Sequence, residues 1–315
     1  MRSFLIKSSV FLFLLLGTIT VVFFKADGHT DPFYVRFTAP KQTSLILGTS
    51  KAAQGLRPSI LNEKLNRNDI FNYAFTLRIS PYGPVYLESI KNKLKKNSNG
   101  GIFILAVDTW SIFTDTDTPN NPETFKENSR FLPKITIPDA NPNINYLLSG
   151  YEDMYVKILY NKSFMFLNDN GWLEVYINNY KNKLISTTTH RSFYFDSLRH
   201  VKHFEASITR YLNKTKTYKY SQLRLEYLKK TIKFLKTRGE VYLVRLPVHN
   251  DMIEIENSIM SDFNSTMTTI SNDFSIDYYD LTYLNSSCNF NDANHLNRES
   301  TTFVSKELAK KINKE

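Results

Sequence analysis

The chain has 315 residues, enough for one large domain or two small ones. At 42% hydrophobic and 22% charged it can bury a core, which excludes a wholly disordered chain. A single cysteine, Cys288, excludes an internal disulfide framework and any multi-cysteine zinc or iron–sulfur centre, and a net charge of +10 permits an anionic partner without naming one.

The first element is apolar. Phe4 to Phe24 reads FLIKSSVFLFLLLGTITVVFF, with Lys7 its only charge; the uncharged part, Ser8 to Phe24, covers 17 residues, the lower end of what a hydrocarbon core requires. Arg2 and Lys7 precede the run, so the positive-inside rule keeps the amino terminus cytoplasmic and exports everything after Lys25. The rival reading is a cleaved signal peptide, which shares the charged start. No small-x-small site follows closely in Phe23-Phe24-Lys25-Ala26-Asp27, and this favours an anchor over residues 1–25. Under either reading the rest of the chain works outside the cytoplasm, which excludes intracellular nucleic acid as the partner of the positive charge. Residues 26–42 read as a linker and 43–315 as one folded domain.

The domain alternates strand and helix. Ser44-Leu45-Ile46-Leu47-Gly48 is a compact run, apolar on both faces, that suits a buried parallel strand. Ile70 to Phe75 suggests a second strand, and Tyr86 to Lys96 carries Tyr86, Ile90 and Leu94 at helical spacing. Gly101 to Val107 is the clearest buried strand and ends at Asp108. Leu223 to Leu235 predicts a basic amphipathic helix closed by Gly239, then Glu240 to Val248 a strand and Asp251 to Met267 a helix. Ile276 to Leu281 and Arg298 to Ile312 supply the last strand and helix. This rhythm predicts a doubly wound, flavodoxin-like α/β fold: a parallel sheet of about five strands with helices on both faces. Residues 109–216, rich in Asn, Thr, Pro and Tyr, break the rhythm and read as an insertion after the third strand that caps the active face.

Ligands of such sheets bind outside the carboxyl ends of the strands, so the reactive side chains that fall there matter most. Gly48-Thr49-Ser50 leads from the first strand into a helix, where a serine hydroxyl is exposed beside free backbone N–H groups that suit a developing oxyanion. The alternative for Ser50 is a plain helix cap. Asn291-Asp292-Ala293-Asn294-His295-Leu296-Asn297 lies between the last strand and the last helix. There an imidazole base and a carboxylate that orients it stand three residues apart; the alternative is a surface turn with an incidental histidine.

Taken together, Leu45-Ile46-Leu47-Gly48-Thr49-Ser50, with Gly55 and Pro58 soon after, and Asp292-Ala293-Asn294-His295-Leu296-Asn297 give the chain a layout that resembles the SGNH (GDSL-like) hydrolase superfamily. Within it the chain is most similar to the cell-envelope branch related to alginate O-acetylation proteins and DltD. The likeness runs loosely over residues 43–108 and 219–313. It implies Ser50 as nucleophile, His295 as general base and Asp292 as its orienting carboxylate. The chemistry implied is hydrolysis of an ester, or transfer of an acyl group, most plausibly acetyl, on an envelope or exported polysaccharide. No cofactor is implied, and an integral membrane acyltransferase is a natural partner.

The chain departs from the family at three points. The serine motif reads Gly-Thr-Ser, and the family's central Gly and Asn have no clear counterparts. Asn72 is the positional candidate for the second oxyanion donor, beside the N–H of Ser50. Asp108 stands where a donor belongs; a carboxylate would repel an oxyanion, which gives Asp108 to a loop or a substrate hydroxyl. These gaps leave room for an inactive glycan-binding or assembly protein on the same fold. Arg245, His249 and Trp110 are candidates for substrate contact. His190, His200 and His203 fit no zinc spacing and lack a cysteine, so no metal is expected.

Overall fold

The computed structural model describes residues 1–26, 31–97, 99–151, 166–175 and 197–314. In chain order the first elements are α1 (Arg2–Phe23), α2 (Tyr34–Thr38), β1 (Ser44–Leu47), α3 (Ser50–Gly55), α4 (Pro58–Lys64), β2 (Ile70–Asn72), α5 (Pro84–Lys93) and β3 (Gly101–Ala106). After several short 3-10 turns come α6 (Ile144–Ser149), the hairpin β4 (Phe166–Asp169) and β5 (Trp172–Val175), α7 (Ser197–Thr215) and α8 (Gln222–Lys236). The chain closes with β6 (Gly239–Arg245), α9 (Asn250–Ile259), α10 (Phe263–Phe274), β7 (Asp277–Asp280) and α11 (Arg298–Asn313).

Five of the strands form one all-parallel sheet in the order β2-β1-β3-β6-β7, with Leu45 opposite Phe103 and Leu105 opposite Leu243. The runs that are apolar on both faces explain its burial. Leu45, Leu47, Phe103, Leu105 and Leu243 join one apolar cluster with Ile90 of α5, Leu228 and Ile232 of α8 and Met267 of α10. The alternate residues Ile46, Ile104, Ala106 and Val244 join a second cluster with Ala52 of α3, Leu61 of α4 and Val304 and Leu308 of α11. Because all five strands run the same way, their carboxyl ends share one rim.

Two expectations are revised. The helix expected over Asp251 to Met267 is two helices, α9 and α10, because Met260 leaves the helical backbone (φ −154°, ψ 78°) and turns its side chain into the core. The stretch read as a linker carries α2, whose Tyr34, Arg36 and Phe37 are buried; Phe37 stacks on Tyr146 with ring centroids 4.8 Å apart. Part of the stretch after β3 belongs to the core: Phe131, Leu132, Ile135, Tyr146 and Leu147 join the same cluster as Leu45 and Phe103. The apolar run Tyr155 to Leu159 lies outside the described residues.

At 22 residues, or about 33 Å of helix, α1 is long and apolar enough to cross a membrane. Its side chains are exposed except near its carboxyl end, where Val22 and Phe23 pack against the folded domain.

Candidate active site

The site begins where β1 ends. Gly48 has φ +136°, and a Cβ there would lie 2.9 Å from the carbonyl oxygen of Ala106. The chain presses against the end of β3 at this point, and only glycine accepts both the backbone angle and the contact. Thr49 is extended and precedes α3, whose first residue is Ser50. Ser50 is half-buried, and its backbone N–H has no acceptor among the described residues. Its hydroxyl does not cap the helix. Instead Oγ lies 2.9 Å from Nε2 of His295.

His295 is presented by a tight loop between β7 and α11. Phe290 and Leu296 form an antiparallel bridge, and the Asn291 N–H donates to the His295 carbonyl at 2.8 Å. Inside the loop, Oδ1 of Asp292 accepts the backbone N–H groups of Asn294 at 2.8 Å and His295 at 2.9 Å, the habit of aspartate in a turn. The same carboxylate meets the ring: Nδ1 of His295 lies 3.1 Å from each Asp292 oxygen. Asn297 then caps α11 by accepting the Ser300 N–H at 2.9 Å. The local sequence therefore builds the histidine–carboxylate pair by itself, and the fold carries it to Ser50.

Electrostatics match the geometry. Burial alone would raise the Asp292 carboxyl. The His295 charge, its ring hydrogen bond and the two backbone N–H groups outweigh that and hold the pKa at about 2. Asp292 is thus a carboxylate at neutral pH, able to fix the imidazole tautomer with Nδ1–H toward itself and Nε2 free to accept the Ser50 proton. The site residues remain partly open: the side chains of His295 and Asp292 are 15% and 20% exposed.

Three other expected residues sit elsewhere than proposed. Asn72 is fully buried; its Nδ2 donates to the carbonyls of Ala52 at 2.8 Å and Leu56 at 3.1 Å, and its Oδ1 accepts the Ala74 N–H. It braces α3 against β2 and has no donor left for an oxyanion. Arg245 is buried and bonded to Asn264 and Glu256, so it faces no ligand. Trp110 is 1% exposed and packs on Tyr211, which makes it core material rather than a sugar platform. Asp108, by contrast, serves a loop as expected, accepting the Ser111 N–H at 2.8 Å and the Thr49 hydroxyl at 3.3 Å.

His249 does stand at the rim. Its N–H donates to the Ala293 carbonyl at 3.1 Å, while its ring caps α9 by accepting the Asp251 N–H. His203 is exposed; His190 and the side chain of His200 lie outside the described residues. Among the described residues no group of three His, Cys, Asp or Glu side chains is arranged to hold a metal.

Two features of the site were not read from sequence. Lys51, next to Ser50, is buried with its Nζ 2.5 Å from Glu256 and 3.6 Å from Asp108, and Glu256 in turn meets Arg245 at 3.0 Å. Burial would raise the Glu256 carboxyl, but the Lys51 and Arg245 charges hold it below the usual range. From α7, the Tyr211 hydroxyl accepts from Nδ2 of Asn294 at 3.0 Å. The helical spacing of Phe204, Ile208 and Tyr211 was the available signal for that contact.

No protein-family model matches this chain, and no curated protein is similar to it at a significant level.

Proposed function

We propose that the chain is a membrane-anchored, extracytoplasmic serine esterase or O-acyltransferase of the SGNH type, acting on ester groups of an envelope or exported polysaccharide. The observation that carries this reading is the linear relay Ser50 Oγ to His295 Nε2 at 2.9 Å and His295 Nδ1 to Asp292 at 3.1 Å. The strand order agrees with a doubly wound sheet bearing an insertion between β3 and α8, and α1 agrees with a single-pass anchor.

In the proposed reaction Ser50 Oγ attacks the acyl carbonyl carbon while its proton passes to His295 Nε2. Asp292 stabilises the imidazolium that results. The free N–H of Ser50 faces the oxyanion of the tetrahedral intermediate. Collapse breaks the ester bond, and the departing sugar oxygen takes the proton from His295. Water or another sugar hydroxyl then attacks the acyl-serine by the same steps in reverse, which gives hydrolysis or transfer. In the transfer case an integral membrane acyltransferase is the proposed acyl source.

The test is labelling of the full chain with a fluorophosphonate. Labelling that disappears in Ser50→Ala and falls steeply in His295→Ala supports the enzyme. A folded wild type that does not label supports a second reading, an inactive glycan-binding or assembly protein; the commitment of Asn72 to α3, which leaves the Ser50 N–H as the proposed oxyanion donor, favours that reading.

A further inference from the structure

The carboxyl end of α1 fixes how near the folded domain stands to a bilayer. At about 1.5 Å per residue its 22 residues span about 33 Å, against about 30 Å of hydrocarbon, so crossing uses nearly the whole helix. Its last residues, Val22 and Phe23, are nevertheless only 4% and 6% exposed, because they pack on the domain. Phe23 belongs to the cluster of Phe33, Phe37 and Tyr146, and Ile19, one turn earlier, packs on the same cluster. The domain surface around this contact therefore lies at headgroup level, with no spare length of helix to lift it away.

The short helix α6 is tied to the same end. Ala26 and Asp31 are five residues apart, at most about 18 Å of chain, and Oδ1 of Asp31 accepts the Tyr146 hydroxyl at 2.5 Å. Tyr146 and Leu147 give α6 its buried face, whereas Ile144 and Leu148, one turn apart, are 42% and 69% exposed. Ile137 is 59% exposed and joins them, since its carbonyl accepts Nδ2 of Asn143, the cap of α6, at 2.8 Å. Three open aliphatic side chains thus fall within 12 residues; among the described residues beyond residue 24, the other four exposed large apolar side chains are spread from α7 to α11. Charge is sparse here as well. Residues 131–151 hold only Lys134 and Asp139, in a chain that is 22% charged. Lys134 is exposed, while the charge of Asp139 acts on the buried Lys93, whose Nζ donates to the Pro138 carbonyl at 2.7 Å. At the end of α1, Phe24 and Lys25 are exposed too. Aliphatic groups framed by lysines suit a headgroup layer: the first enter the acyl boundary and the ammonium groups stay among the phosphates.

We propose that Ile137, Ile144 and Leu148 dock the domain on the lipid bilayer that α1 crosses. The proposal rests on the reading of α1 as a membrane anchor and is independent of the chemistry of Ser50. One helix alone leaves the domain free to tilt and turn about it. A second contact removes most of that freedom, so the rim that bears Ser50 keeps one direction relative to the membrane.

The test uses the full chain in vesicles of phosphatidylcholine and phosphatidylglycerol. The single cysteine is removed as Cys288→Ser, and a polarity-sensitive fluorophore is attached through Phe13→Cys, Ile137→Cys, Leu148→Cys or Lys306→Cys, one at a time. Phe13 reports insertion of α1. Lys306 is exposed on α11, which packs on the opposite face of the sheet from α6. Lipids that carry a nitroxide on the acyl chain are expected to quench the Phe13, Ile137 and Leu148 probes about twofold or more and to leave the Lys306 probe bright. Ile144→Glu together with Leu148→Glu, with circular dichroism unchanged, is expected to return the Ile137 probe to the level of Lys306 while the Phe13 probe stays quenched.

Ile137 and Leu148 probes quenched no more than Lys306, beside a quenched Phe13, overturn the docked face and leave the anchor standing. The same holds if those two probes become shielded only in native membranes, which gives the face to a membrane protein instead. Quenching at Ile137 that survives the two glutamates also overturns the proposal. A Phe13 probe without quenching removes the anchor itself, and the docked face with it.

Discussion

Nε2 of His295 and Oγ of Ser50 meet at 2.9 Å although 245 residues of chain separate them. Neither residue touches the other through local structure. β1 delivers the serine at one strand end, and the loop before α11 delivers the imidazole; α11 itself packs on α3 through Thr301, whose hydroxyl bonds the Gln54 carbonyl. The relay is therefore a property of how α11 docks, and it exists only in the folded state.

Asp292→Asn keeps the loop shape, since an amide oxygen still accepts the Asn294 and His295 N–H groups, but it removes the charge that fixes the imidazole. Fluorophosphonate labelling of Ser50 is expected to slow by a factor on the order of 10³–10⁴, with the melting temperature changed little by comparison. Labelling at the wild-type rate in a folded Asp292→Asn protein contradicts the assigned role.

The same carboxylate makes stability depend on acid. Its pKa is about 2 in the fold against 3.8 for an ordinary aspartate, so its contribution is present above pH 4 and lost as pH falls toward 2. The difference corresponds to about 2 kcal/mol. Chemical denaturation at pH 7 and pH 3 is expected to show a smaller acid loss in Asp292→Asn than in wild type.

Asn72→Ala separates bracing from catalysis. It strips donors from the Ala52 and Leu56 carbonyls, which is expected to cost about 1–3 kcal/mol in urea denaturation. Loss of a true oxyanion donor slows acyl chemistry by about 10²–10³. Labelling of Ser50 in a folded Asn72→Ala protein is expected to change by much less than that.

Glu256→Gln leaves the buried Arg245 without a counter-charge and Lys51 with only Asp108, 3.6 Å away. Removing one partner from such a network costs about 3–5 kcal/mol, so the variant is expected to unfold at markedly lower denaturant. The comparison is Glu307→Gln, which breaks an exposed pair with Lys310 and is expected to change stability by about 0.5 kcal/mol or less.

Gly48→Ala tests the turn that presents Ser50. A left-handed backbone angle and a Cβ 2.9 Å from the Ala106 oxygen are expected to cost about 1–3 kcal/mol and to displace the serine. Both the denaturation midpoint and the rate of Ser50 labelling should fall.

Several parts of this protein were written in short stretches of chain. The buried strands announce themselves because a parallel strand is apolar on both faces, as in Leu45-Ile46-Leu47 and Ile102-Phe103-Ile104-Leu105. The apolar helix Arg2–Phe23 is a matter of composition alone. Asp292 and His295 are near in sequence, and their hydrogen bonds are those of a turn, so three-residue spacing was enough to pick them out.

Tertiary structure decided the rest, because burial and partner choice depend on elements far away in the chain. Arg245 and Asn72 have the chemistry of ligand contacts, yet Glu256 and the α3 carbonyls consume them. Tyr34, Arg36 and Phe37 looked like linker until Tyr146, from the region read as a cap, came to pack on them. Lys214 is an ordinary lysine in sequence; only the convergence of α7, Trp110 and Tyr218 makes it a half-buried charge held over aromatic rings. Residue type sets what a side chain is able to do, and the packing of remote elements sets whether it is free to do it.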